Sequence, residues 1–123
     1  MFCFPVTIGS GSYNAVMSGV DCTISTTGDH AGVLGGDGHA ISGATNWPYC
    51  FGGESNTISG GNRTSIFGGA SNIISGGNYS SIIGGQGNEV SHQSAVALGE
   101  ETKSICRAGI TQSSGEIAAA GEA

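Results

Sequence analysis

Basic residues are nearly missing from this chain. Three Lys and Arg stand against nine Asp and Glu, for a net charge of −6 over 123 residues. Nucleic-acid binding needs clustered cations that displace counterions, so no nucleic-acid partner is expected. Charged residues of both signs make up only 10% of the chain, against roughly 25% in ordinary globular proteins. Such scarcity suits a surface partly covered by neighbouring copies. Nor is there any apolar run near the ~18 residues of a membrane span, so no membrane insertion is expected. The start, Met1-Phe2-Cys3-Phe4-Pro5, has neither the basic segment nor the long apolar segment of a signal peptide. Cysteine is limited to Cys3, Cys22, Cys50 and Cys106. Two disulfides could form, but small buried thiols in a reducing compartment are the expectation.

Glycine is plentiful, at 24 residues. It is not at every third position, which excludes collagen. Disorder is excluded by branched residues at fixed spacing. Ile58-Ser59-Gly60-Gly61 recurs as Ile66-Phe67-Gly68-Gly69, Ile74-Ser75-Gly76-Gly77 and Ile82-Ile83-Gly84-Gly85. The full series runs Ile8, Val16, Ile24, Val33, Ile41, Cys50, Ile58, Ile66, Ile74, Ile82, Val90, Leu98. Each step is eight residues except 24 to 33 and 41 to 50, which are nine. A short apolar pulse and a Gly corner at fixed period predict a solenoid. The two additional residues belong in turns, because an insertion within a strand would flip its side chains to the other face.

The residue after each member of the series sets a slower rhythm. From Met17 to Ser91 it reads Met17, Ser25, Leu34, Ser42, Phe51, Ser59, Phe67, Ser75, Ile83, Ser91. Neighbours on a strand point to opposite faces. If the first series points inward, this one points outward, as serine on every other strand and as a large apolar residue between. The alternation predicts two strands per coil, each coil spanning two successive steps of the series. That is an all-β, two-sheet parallel β-roll or β-solenoid. A three-sided helix would need a period near 24, which is missing. One sheet is wet. The other carries Met17, Leu34, Phe51, Phe67 and Ile83 outward, a stripe too large to leave in water. Covering it is worth roughly 2 kcal/mol per residue, on the order of 10 kcal/mol per chain. These five residues are therefore the expected interface between copies.

Asn56, Asn72 and Asn88 recur at 16, as do Asn62 and Asn78. Stacked amides hydrogen-bond along such a ladder and satisfy turn backbone, which is their expected role. The Gly pairs make the tight reversals. No Gly-rich stretch is followed by the Lys-Ser/Thr of a phosphate loop. In Gly35-Gly36-Asp37-Gly38-His39-Ala40-Ile41, Ala40 stands where a calcium-binding nonapeptide needs Asp. The expected divisions are a lead-in or cap over 1–7, repeats over 8–99 and a departing tail over 100–123.

Two family resemblances follow from these residues. Ser94-Ala95-Val96-Ala97-Leu98-Gly99 resembles the Ser-Val-Ala-Ile-Gly signature of trimeric autotransporter adhesin heads, whose β-rolls have shorter coils. The Gly-Gly-x-x-Asn-x-Ile-Ser-Gly-Gly repeats from 52 to 91 resemble shafts of bacteriophage tail fibres and tail spikes. The stretch from Ser114 to Ala123 is similar to a Ser-Gly-Lys-Phe-Ala-Ala-Ala-Gly-Asp-Ala-Gln segment that leads into a further domain in phage fibres. The resemblance implies a homotrimeric fibre or spike of the virion, assembled in the host cytoplasm, that supports attachment to a host surface. It also implies relatives that continue beyond the end of this chain. The adhesin head is the alternative.

No catalytic constellation is visible, and no enzyme or cofactor is expected. His30, His39 and His92 lack the spacing to acids of a triad or metal site. His92 facing a threefold axis would bring three imidazoles together, although a solvated turn is the plainer reading. Trp47 and Tyr49, stiffened by Pro48 within a nine-residue step, are the candidate contact with a host-surface glycan or protein, since exposed aromatics stack on sugars or pack on partners.

Overall fold

The computed structural model describes residues 4–104 and 108–114. Cys3, Cys106, Arg107 and the segment 115–123 lie outside the described residues. Two parallel sheets form a β-solenoid, and no helix occurs among the described residues. The six-stranded sheet stacks β1 (Phe4–Ile8), β3 (Val20–Ile24), β5 (Ala40–Ile41), β7 (Thr57–Ile58), β9 (Ile73–Ile74) and β11 (Glu89–Val90) in that order. The seven-stranded sheet stacks β2 (Ala15–Val16), β4 (Gly32–Val33), β6 (Tyr49–Cys50), β8 (Ser65–Ile66), β10 (Ser81–Gln86), β12 (Val96–Glu100) and β13 (Ile110–Ser114). Odd and even strands alternate between the sheets up to β12, so each coil contributes one strand to each. That is the two-strand coil the Ser/apolar alternation predicts. Parallel pairing extends past the octad at both ends, with Val6 opposite Cys22 and Thr111 opposite Ala97.

Pairing places like on like. Ile24, Ile41, Ile58, Ile74 and Val90 are stacked on one side, Val33, Cys50, Ile66 and Ile82 on the other, and each is at most 1% exposed. The series departs from expectation at its ends. Ile8, on the terminal strand, is 49% exposed. At the other end Ala97, not Leu98, is the buried residue and pairs with Ile82. The corner from β11 into β12 is one residue shorter than the preceding one, which advances the register. The coil accordingly contracts along the chain. Ile41 lies opposite Ile58, Ile66 opposite Ile82 and Ala97 opposite Thr111, each offset smaller than the one before.

Both nine-residue steps place their additional residue in the corner between β3 and β4 and between β5 and β6. Thr26 and Thr45 fill these wider corners and are fully buried. The Thr26 hydroxyl donates to the Gly43 carbonyl at 2.7 Å and receives the Gly28 N–H at 2.9 Å. The added residue therefore brings a hydroxyl that satisfies the backbone it displaces.

A ladder of buried amides runs beside the core. The Asn56 side-chain carbonyl accepts the Asn72 N–H at 3.0 Å, that of Asn72 accepts the Asn88 N–H at 3.0 Å, and that of Asn88 accepts the Thr102 N–H at 2.8 Å. The Asn72 amide donates to the Gly68 and Gly85 carbonyls, both at 3.1 Å. Gly53, Gly69 and Gly85 have φ between 90° and 97°, and a Cβ on any of them would collide with the backbone of the next coil. At the head of this ladder His39 replaces Asn. Its Nδ1 accepts the Asn56 N–H at 3.2 Å, while Nε2 is buried without a partner. Burial holds this imidazole below its ordinary 6.5, against the opposing effects of the Gly35 backbone and the Asp37 charge. Cys22 and Cys50 are free, buried thiols, and burial pushes Cys50 up to about 12.

Candidate functional site

Two surface features border the seven-stranded sheet. The first is the outward stripe. Met17, Leu34, Phe51, Phe67 and Ile83 each follow a buried or half-buried residue and are 67%, 38%, 39%, 48% and 47% exposed. On the opposite sheet the corresponding positions hold Ser25, Ser42, Ser59, Ser75 and Ser91. Phe51 and Phe67 lie parallel, 5.0 Å apart at 1°. Leu98, displaced from its expected inward place, follows buried Ala97, is half-buried, and lies opposite Gly84 because the pairing is irregular at Ile83. With the side chains already half covered by their own coils, covering the rest is worth about 1 kcal/mol each, or on the order of 5 kcal/mol per chain. Tyr49 belongs to this face. Its ring tilts against Phe51 at 6.3 Å and lies over Gly32, where a Cβ would meet ring carbons at 2.8 Å. Ser65 and Ser81 continue the same column with hydroxyls 3.1 Å apart.

The second feature is a stack of planar side chains along the corner that leads into this sheet. Tyr13, His30, Trp47, Arg63 and Tyr79 occupy equivalent places in five successive coils, and all have φ between 55° and 64°. Tyr13 stacks on His30 at 4.8 Å and 16°, and His30 on Trp47 at 5.4 Å and 13°. The Arg63 guanidinium lies 4.9 Å from the Trp47 ring centre and 5.4 Å from that of Tyr79. It also donates to the Tyr79 hydroxyl at 2.8 Å. Left-handed backbone is costly for bulky residues, about 1–3 kcal/mol each. The opposite corner, where Asp21, Gly38, Ser55, Ser71 and Gly87 take the same conformation, uses small or polar residues. Stacking and cation–π contact, each worth on the order of 1 kcal/mol, offset part of that cost.

Each stacked residue follows a second ladder. Asp29 accepts the Ser12 N–H at 2.7 Å, Asn46 the Asp29 N–H at 2.9 Å, Asn62 the Asn46 N–H at 2.9 Å and Asn78 the Asn62 N–H at 2.7 Å. Here the acceptor side chain lies on the following coil, the reverse of the inner ladder.

Trp47 and Tyr49 are thus two residues apart yet belong to different surfaces. Trp47 has His30 over one face and Arg63 over the other, which leaves its ring edge outward. Strand periodicity does not indicate Tyr13, His30, Arg63 and Tyr79. Their signal is the spacing of 17, 17, 16 and 16, which matches the coil at a corner rather than in a strand. His92 lies at the shortened corner, with Nδ1 3.3 Å from the Ser91 hydroxyl and 3.2 Å from that of Ser104. Among the described residues no group of three His, Cys, Asp or Glu is placed to hold a metal ion. No protein-family model and no curated protein matches the chain.

Proposed function

We propose that this chain is a structural shaft element of a bacteriophage fibre or spike, which self-associates as a homotrimer and supports attachment to a host surface. The observation that carries this reading is the one-sided apolar stripe on the seven-stranded sheet. Its residues repeat with the coil, about 4.8 Å per rung. The surface that matches such a repeat rung for rung is the same stripe on another copy with a parallel axis. Almost no charge lies in the stripe to oppose that contact. The count of three comes from the tail-fibre resemblance, and a column one residue wide suits closure of copies around an axis.

A trimeric adhesin head is the second reading. It is favoured by the contraction of the last coil, between Ala97 and Thr111, toward the shorter coil of such heads. Immunogold electron microscopy with antibody to this chain separates the two. Labelling of tail fibres on virus particles is expected. Labelling of a cell envelope favours the adhesin, and labelling of neither overturns both readings.

A further inference from the structure

The two flanks of the seven-stranded sheet carry different chemistry. From β2 to β10 each strand lies between two corner columns, seven residues apart along the chain. The entering column is the planar stack. The leaving column is Val20, Asp37, Glu54, Ala70 and Gln86, bridged in parallel in that order. Asp37 and Glu54 are exposed and directly opposite each other, an arrangement that is destabilising for like charges. No cation answers them within the described residues, where the only ion pair joins Lys103 to Glu89 at 3.2 Å. Arg63, on the entering flank, is exposed and has no carboxylate partner among the described residues. One of its N–H donors goes to the Tyr79 hydroxyl at 2.8 Å, and the others find no acceptor among the described residues. One flank therefore holds a cation without an anion, and the other holds anions without a cation.

We infer that in the assembly Arg63 of one copy pairs with Glu54 of the next, so that the planar flank of each copy is seated on the acidic flank of its neighbour. The inference rests on the self-association proposed above and adds its direction and its polar contact. Copies that turn their stripes to a common axis with parallel chain directions bring unlike flanks together and can close into a ring. Antiparallel copies related by a twofold axis across the solenoid bring like flanks together, and carboxylates then face carboxylates. Charge therefore selects the parallel arrangement. Size agrees with it. In parallel copies held at the same height Arg63 is level with Ala70, the smallest side chain of the leaving column, and Glu54 is bridged to Ala70 one rung away. A guanidinium directed past Ala70 has about 4.8 Å of rise to cover to that carboxylate. Trp47 and Tyr79, which lie on either side of Arg63 and are 42% and 54% exposed, add apolar area to the same contact. A small anion from solution would satisfy Arg63 but leave Asp37 and Glu54 unanswered, whereas a second copy answers both flanks.

The test uses the intact chain in two variants. Arg63→Lys keeps the charge and supplies an amine that a water-soluble carbodiimide condenses with a touching carboxylate, the water lost in forming the amide being taken up by the carbodiimide as a urea. Bands at two and three chain masses on a denaturing gel are expected, and mass spectrometry of their peptides should find position 63 joined to Glu54. A contact within one chain would leave that link in the single-chain band. Glu54→Lys changes only an exposed corner side chain. It should leave the circular dichroism spectrum unchanged and raise the concentration at which the assembly half-dissociates by about tenfold. A wild type that sediments at the mass of one chain overturns self-association, and this pairing with it. A wild-type assembly that Glu54→Lys leaves unchanged, or an assembled Arg63→Lys whose multi-chain bands lack the link to Glu54, overturns the pairing alone.

Discussion

Asn72→Ala tests the internal amide ladder where it is best formed. The Asn72 side chain, itself fully buried, accepts the Asn88 N–H in a buried bond and donates to the Gly68 and Gly85 carbonyls in part-buried ones, all at 3.0–3.1 Å. After truncation the Gly85 carbonyl keeps the Ala70 N–H at 2.9 Å. The Asn88 N–H and the Gly68 carbonyl lose their side-chain partner. A buried group left unsatisfied costs about 1–3 kcal/mol and the half-exposed Gly68 carbonyl less, so the variant should lose about 3 kcal/mol. That is a large share of the roughly 5–15 kcal/mol typical of a domain. Asn78→Ala is the matched control. It removes an amide from the outer ladder, where water replaces the lost partner of the Asn62 N–H, and should cost about 1 kcal/mol or less. Urea denaturation followed by circular dichroism, at one fixed protein concentration, measures both. Equal losses in the two variants, or a loss below about 1 kcal/mol for Asn72→Ala, would refute the claim that burial gives the inner ladder its weight.

His39→Asn should stabilise the fold by restoring the ladder residue and by removing the orphaned Nε2. It should also remove a pH dependence. The folded imidazole binds its proton less readily than the unfolded one, at 6.5, so wild-type stability should fall as pH drops below that value. Unfolding free energies from pH 7.5 to 5 should therefore diverge between wild type and His39→Asn by up to ~1.4 kcal/mol per pH unit, and parallel curves contradict the assignment. Cys22 and Cys50 should resist iodoacetamide at pH 8 until urea unfolds the chain, as read by peptide mass spectrometry. Modification of either in native protein contradicts their burial.

The core is legible in the sequence because burial recurs with the period of the chain's own coils. One branched residue every eight positions, with Ser59 against Phe67 and Ser75 against Ile83, suffices to separate two sheets and to mark an inward and an outward face. The inner Asn ladder is legible for the same reason. Leu98 misleads because side-chain size suggests that Leu rather than Ala97 is buried, whereas the register is set by a corner one residue shorter. A deletion in a turn leaves no mark in a strand pattern. The planar stack escapes notice because Tyr, His, Trp and Arg share neither polarity nor charge, only flatness. Their alignment is at a corner, where strand periodicity gives no prompt to look. Trp47 and Tyr49, close in sequence, read as one contact because the backbone turn between them is not written in either residue.

Sedimentation equilibrium of the purified chain, beside Phe67→Asp, tests self-association most directly. Phe67 stacks on Phe51 near the centre of the outward stripe and is half exposed, so an aspartate there faces solvent in the isolated chain. In an assembly it would bring like charges together in a dry interface, at a cost of several kcal/mol. The wild type should sediment at three times the chain mass and Phe67→Asp at the mass of one chain. A monomeric wild type, or an unchanged assembly in the variant, would contradict the stripe as the contact between copies.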